Sequence, residues 1–237
     1  MPLQQKTIRR VVLFGDSKEE IVTMVQKHGF EIVDADPDAV ITYGGDGTIV
    51  RSEYFFPSIP KIVLKKSDVC KKCNDVSNDE TLQLISGGNY NIETLVKLKA
   101  VHNGDELLGM DTVLVHNHNP RHAIRYSVNI DDIRYREIII GDGFIVATPF
   151  GSTGYYKSVT GSFFTSGIGV AFNNSTEQVD HLVTSEQSIV RAHILRGPAD
   201  VFVDNIDPFL SLAEGDHVTV SVADEYAYII RPIAQKN

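Results

Sequence analysis

An apolar segment, Ala39-Val40-Ile41-Thr42-Tyr43, runs straight into Gly44-Gly45-Asp46-Gly47-Thr48, and a helical pattern follows through Phe55. A strand that turns through glycines into a helix is the joint from which α/β folds are built. Glycines let the backbone approach a ligand because no Cβ intrudes, and the amides opening the helix carry partial positive charge, a natural seat for phosphate. Asp46 is the unusual member. A carboxylate repels phosphate, so its place makes sense if it touches a hydroxyl proton or a metal ion. The plainer alternative is a tight strand–helix turn with Asp46 as its N-cap.

The surroundings support the α/β reading. Val11-Val12-Leu13-Phe14 is a short apolar run ended by Gly15. Ser17 and Glu20 have the spacing of a capping box, and Ile21, Met24, Val25 and His28 follow at helical spacing up to Gly29. Further strands are expected at residues 30–33 and 62–64. Alternation of this kind points to a parallel sheet with crossover helices. Past Gly87 the pattern changes to strand candidates at 95–100, 112–115, 123–130, 138–140, 144–147, 201–203, 218–222 and 226–230, with Asn103-Gly104 a hairpin turn. The expectation is a Rossmann-like α/β domain over 1–86, carrying the glycine loop, then a mostly antiparallel, β-sandwich-like domain over 87–237. The last strand is a candidate to return to the first domain.

Composition narrows the class. The 237 residues include 22 basic and 31 acidic, a net charge of −9, which argues against a nucleic-acid coat or an anionic-membrane binder. Two cysteines, Cys70 and Cys73, cannot make a disulfide-framework fold. No apolar run reaches the roughly 20 residues that span a bilayer. The opening residues lack the apolar stretch of a signal peptide, so an intracellular, cytoplasmic protein is expected.

A second motif occurs at 141–155: Gly141-Asp142-Gly143, an apolar strand to Ala147, then Thr148-Pro149-Phe150-Gly151-Ser152-Thr153-Gly154-Tyr155. Its hydroxyls and aromatic ring suit a nucleoside; read alone it is a well-capped turn from strand to helix. The two motifs in this order and separation resemble the NAD kinase family, with its GGDGT loop and its later D-G-x-x-x-x-T-P-x-G-S-T-x-Y segment. Gly88-Asn89-Tyr90-Asn91-Ile92-Glu93, Val203-Asp204-Asn205 and 212–220 are similar to the same family. The resemblance implies a kinase that phosphorylates the adenosine ribose 2′-hydroxyl of NAD, with ATP or polyphosphate as donor and Mg²⁺ or another divalent cation. It also implies an active site in a cleft between the domains and a homodimer or homotetramer. On that resemblance Asp46 is catalytic, Gly45, Gly47 and Thr48 bind phosphate, and Asn117, His118, Asp142, Thr153, Tyr155 and Ser158 bind NAD. A non-catalytic nucleotide sensor, or a kinase for another alcohol, is the alternative function.

Three stretches depart from the family's pattern. Asn117-His118 stands where the family usually has Asn-Glu, and a histidine cannot accept two hydroxyl hydrogen bonds as a carboxylate does. Residues 65–73, Lys-Lys-Ser-Asp-Val-Cys-Lys-Lys-Cys, replace a glycine-containing Asn segment, and the family's Pro-His pattern is missing from 173–186. Lys65 and Lys66, with Lys61, Lys71 and Lys72, either gather the phosphoryl donor or form a solvated loop. Cys70 and Cys73 are read as two unligated loop thiols, with a zinc site completed by other groups or a redox pair as alternatives. His116 and His118 would share a strand face, with a nucleotide-lining or solvent-exposed role.

Overall fold

The computed structural model describes residues 7–66, 70–176 and 181–233. The opening Met1 to Lys6, and Ser67, Asp68 and Val69 of the lysine-rich loop, lie outside the described residues. Two compact units are present, Met1–Leu95 with Tyr226–Asn237, and Val96–Glu225. The first unit runs past residue 86 because Tyr90, only 2% exposed, belongs to its core with Leu82, Ile85 and Ile230.

In the first unit, β1 (Arg10–Phe14), β2 (Glu31–Ile32), β3 (Ala39–Gly44) and β4 (Lys61–Lys65) pair in parallel, in the order β2-β1-β3-β4. The closing strand of the chain, β16 (His217–Pro232), adds Ile229 and Ile230 in parallel beside Lys61 and Ile62. Val40, Ile41, Ile62 and Leu64 are fully buried, as a sheet covered on both faces requires. Between β1 and β2 lie a short 3-10 turn, Lys18–Ile21, and α1 (Val22–Lys27). The capping box expected at Ser17 and Glu20 is not formed. Ser17 makes no side-chain cap bond, because its Oγ accepts from Lys66 Nζ and the Glu20 carboxylate is taken by Lys66 and Tyr43. After β3 comes α2 (Asp46–Phe55), with Gly45 rather than Asp46 as N-cap. Then α3 (Asn78–Ser86) follows β4, its Ser77 Oγ accepting from the Glu80 amide.

The second unit is antiparallel throughout its described pairings. It takes over β5 (Tyr90–His102) at residue 96 and turns at Asn103-Gly104, both at positive φ, into β6 (Asp105–Gly109). One sheet sets β8 (Ile124–Ile130) between β9 (Ile133–Gly141) and β13 (Val190–Arg196), with the first half of β16 beyond β13. The other runs β12 (Leu182–Thr184), β11 (Ile168–Asn173), β10 (Gly143–Ala147), β7 (Thr112–Asn117), β14 (Ala199–Val203), β15 (Phe209–Leu212). Val113, Phe144, Val170 and Val201 of this sheet share one core with Val128, Ala192 and Val220 of the first, which makes a sandwich. After β10, a 3-10 turn (Gly151–Thr153) leads into α4 (Tyr155–Thr160). Among the described residues no helix is long and apolar enough to cross a membrane.

Candidate functional site

The order β2-β1-β3-β4 reverses direction between β1 and β3, and open parallel sheets bind ligands at the carboxyl ends of strands beside such a switch point. Residues 44–48 leave β3 at that end. Gly44 has to be glycine, since a Cβ there would lie 2.1 Å from Thr48 Oγ1. Gly45 caps α2 in extended conformation, its carbonyl accepting from the amides of Thr48 (3.0 Å) and Ile49 (3.3 Å). Gly47 is exposed at the first turn. Thr48's amide is thus engaged within the loop, and its hydroxyl packs over Gly44.

Asp46, the first residue of α2, points its carboxylate at the turn that follows β4. Oδ1 accepts from the Lys72 amide at 2.9 Å and Oδ2 from the Lys71 amide at 3.3 Å. Cys70 Sγ lies 3.1 Å from Oδ1. That sulfur carries no hydrogen, because Cys70 and Cys73 are joined in a disulfide. The two cysteines are therefore not unligated thiols: three-residue spacing and a tight turn bring them together.

The lysines of this segment divide by environment. Lys61 is fully buried and ion-paired with buried Glu53, also donating to the Phe56 carbonyl at 2.9 Å, so it belongs to the interior. Lys66 Nζ meets Glu20 at 3.1 Å and sits 5.9 Å above the Tyr43 ring. Hydrogen bonds from Lys66 and Tyr43 hold the Glu20 carboxyl below its usual range. The Lys65 amide and carbonyl are both bonded by the Asn78 side chain. A cavity of ≈ 390 Å³ opens beside the disulfide, lined by Lys71, Lys72, Cys73, Asn74 and Arg231 among others.

In the second unit, β10 is buried along its whole length and delivers Thr148 to the mouth of the second motif. Gly143 (φ +137°) has to be glycine, since a Cβ would fall 1.9 Å from the Val115 carbonyl oxygen. Thr148 Oγ1 donates to the Met110 carbonyl (2.7 Å) and accepts from the Gly151 amide (3.0 Å). Ser152 Oγ spans the Pro149 and Phe164 carbonyls. The Met110–Thr112 turn is itself gripped by Asp204, which accepts the amides of Met110, Asp111 and Thr112 at 2.8–2.9 Å. Burial pushes the Asp204 carboxyl up to about 7 despite those three donors.

A polar network stands at the start of β10. Asp142 accepts from Asn117 Nδ2 at 3.1 Å and from Asn174 Nδ2 at 3.0 Å. Asn117 Nδ2 also donates to the His122 carbonyl at 2.9 Å, which fixes the amide's orientation. Its Oδ1 is buried with no hydrogen-bond partner among the described residues. Asn173 Nδ2 donates to the Tyr155 hydroxyl at 3.0 Å. His118 Nδ1 lies 2.8 Å from Asp200 Oδ2 while its ring stays mostly exposed. Thr153 sits in the 3-10 turn, and exposed Ser158 bonds back to the Tyr155 carbonyl at 2.7 Å. Each unit thus gathers its own candidates: Gly45, Asp46, Gly47 and Thr48 with Lys65 and Lys66 in the first, Asn117, His118, Asp142, Thr153, Tyr155 and Ser158 in the second.

A model of the ATP-NAD kinase C-terminal domain matches residues 110–232, just over half of the chain. The chain belongs to the ATP-NAD kinase family. It is 33% identical over 144 residues to an NAD kinase of Saccharolobus solfataricus, a match spanning 61% of this chain and 57% of that protein. Among solved structures it resembles a yeast NADH kinase complexed with NADH (TM-score 0.83, 15% identity, covering 99% of this chain and 88% of that one). It also resembles an NAD kinase from Archaeoglobus fulgidus in complex with ATP (TM-score 0.75, 18% identity, 95% and 94% covered). At such identities these two likenesses establish the fold.

Sequence reasoning did not single out Asn174 and Asp200 of this ATP-NAD kinase relative, nor a bonding role for Asn173. Asp200 faces His118 because β14 pairs with β7, and Asn173 and Asn174 reach Tyr155 and Asp142 because β11 pairs with β10. No carboxylate stands beside His118 in sequence, yet one does in space. The departure 173–186 was the one available signal, since it begins at these asparagines.

Proposed function

We propose that this chain phosphorylates the adenosine ribose 2′-hydroxyl of NAD, with ATP as donor and polyphosphate as the alternative donor, giving NADP. The observation that carries the reading is Asp46, a carboxylate between Gly45 and Gly47 at the opening of α2, beside the switch point of a parallel sheet. Relatives named NAD kinase, and fold neighbours solved with NADH or ATP, support it. Phosphoryl transfer needs positioning and charge stabilisation more than covalent help from the protein. Asp46 orients the 2′-hydroxyl and accepts its proton as the oxygen attacks the terminal phosphorus, an effect typically worth about 10²–10⁴ in rate. Gly45, Gly47 and Thr48 line the donor's phosphates.

The dinucleotide is held by the second unit's polar network. Asn117 Oδ1, buried and without a donor among the described residues, suits a hydroxyl or amino hydrogen of the ligand. Asp142 and the His122 carbonyl hold the Nδ2 end of that amide, Thr153 and Ser158 supply hydroxyls, and Tyr155 offers a ring face. His118 stands in place of a family carboxylate, its Nδ1 engaged by Asp200 and its Nε2 left for the ligand. Among the described residues no group of three or more His, Cys, Asp or Glu side chains gathers to hold a metal ion. A magnesium ion on the donor would therefore draw its ligands chiefly from phosphate oxygens and water, as that ion commonly does. A cytoplasmic homodimer or homotetramer accompanies this reading on the strength of the motif resemblance.

The test incubates the protein with NAD, ATP and Mg²⁺ and follows NADP with an NADP-specific dehydrogenase. Turnover that falls about 10²–10⁴-fold in Asp46→Asn is expected. NAD binding without turnover would instead identify a sensor of the same fold.

A further inference from the structure

The Cys70–Cys73 disulfide has no part in the phosphotransfer chemistry, yet it closes the turn that occupies the catalytic carboxylate. The amides of Lys71 and Lys72 are each donated to one oxygen of Asp46, and the Cys70 sulfur stands 3.1 Å from Oδ1. An alcohol giving its proton to Asp46 would have to come within about 2.6–3.2 Å of that same carboxylate. The far side of the turn is anchored separately. Arg231 Nη1 donates to the Lys72 carbonyl at 2.8 Å, Arg231 Nε holds Glu93 at 2.8 Å, and Asn74 Nδ2 donates to the Val63 carbonyl at 3.0 Å. Lys72 is thus held from both sides, its amide on Asp46 and its carbonyl on Arg231, and the disulfide ties Cys70, beside Asp46, to Cys73, next to the anchored Asn74.

We propose that Cys70 and Cys73 are a redox-modification site, a disulfide latch that holds Asp46 in a closed, low-activity state and releases it when a dithiol reduces the pair. This rests on the phosphotransfer reading of Asp46. Access is built in: Cys73 lines the ≈ 390 Å³ cavity together with Lys71, Lys72 and Arg231, cations that favour an arriving thiolate. The thiolate of the reductant attacks Cys73 Sγ, forming a mixed disulfide as the Cys70–Cys73 bond breaks and Cys70 leaves as thiolate, to be protonated from water. The reductant's second thiol, as thiolate, then attacks the mixed disulfide and departs as the oxidised reductant, freeing Cys73, which takes up the second proton. Two electrons come from the dithiol and reside on the two cysteines. Breaking the bond unties Cys70 from Cys73, so the turn is free to leave the carboxylate.

The experiment equilibrates the full chain in dithiol/disulfide buffers of graded ratio and reads three quantities together: free thiols by alkylation and mass, hydrogen exchange of the peptide containing Lys71 and Lys72, and NADP formation. As thiols rise from none to two per chain, the two amides should lose protection and the rate should rise with the same midpoint. The expected rise is on the order of tenfold to a hundredfold, the release of one or two amide bonds to a charged acceptor. The Cys70→Ser/Cys73→Ser variant should run at the reduced rate in every buffer. Equal exchange of the two amides in both redox states, or a rate that is unchanged or higher when oxidised, overturns the latch. An exchange difference with no turnover in any buffer supports the latch and counts against the phosphotransfer reading instead.

Discussion

Asp204 lets a single carboxyl be tested against the architecture it supports. Its two oxygens accept three consecutive amides, Met110 at 2.8 Å and Asp111 and Thr112 at 2.9 Å, and this turn supplies the carbonyl that Thr148 bonds. Burial raises its carboxyl from the ordinary 3.8 to about 7. Because the folded protein binds the proton more tightly than the unfolded chain, the stabilisation is complete below about pH 4 and fades as pH climbs through about 7. At 1.36 kcal/mol for each tenfold, the move corresponds to at most about 4 kcal/mol, less to the extent that water reaches the partly exposed residue. In Asp204→Asn the amide oxygen still accepts from two of the backbone donors, while its NH₂ meets the third, at a cost of about 1–3 kcal/mol. The assay is urea unfolding from pH 4 to 8 for both proteins. Wild-type stability should decline relative to Asp204→Asn as pH rises across that window. Parallel profiles, or a wild type that gains on the variant with pH, would refute the account of this carboxyl.

Two further substitutions probe the frame. Lys61→Met leaves the buried Glu53 carboxylate without its cation, so unfolding free energy should drop by about 3–5 kcal/mol in urea titration, while Lys61→Met/Glu53→Leu recovers most of the loss. Gly143→Ala drives a Cβ into the Val115 carbonyl at a positive φ, so a lowered melting temperature and weakened NAD binding by calorimetry are expected together, since Asp142 is its immediate neighbour.

The parts of this molecule legible in the sequence are those where local backbone geometry dictates residue type. Gly44 and Gly143 sit where a Cβ would collide, so the two glycine motifs stand out, and the partly buried β1 and the buried centres of β3, β4 and β10 read as apolar runs. The helix α3 escaped notice because Asn-Asp-Glu-Thr-Leu-Gln-Leu-Ile-Ser is mostly polar, with Leu82 and Ile85 alone as its fully buried apolar side chains. Strand β11, with Gly169 and Asn173 around a few apolar residues, and the alternating β13 carried too little signal against their turns. The capping-box spacing at Ser17 and Glu20 misled because Lys66, 49 residues from one and 46 from the other, competes for both side chains. The same distance effect hid Asp200 behind His118 and the Cys70 turn over Asp46, since strand pairing and loop closure bring together groups that the local pattern leaves unrelated.

The claim that a carboxylate at the glycine loop activates a sugar alcohol is tested most directly by following the label. Reduced protein is mixed with NAD and ATP labelled at the terminal phosphorus, and the product is degraded to locate the phosphate. Label on the adenosine 2′-oxygen, formed by the wild type and lost in Asp46→Asn although that variant still binds NAD, is the expected result. Label on another oxygen, or full transfer without the Asp46 carboxylate, would contradict it.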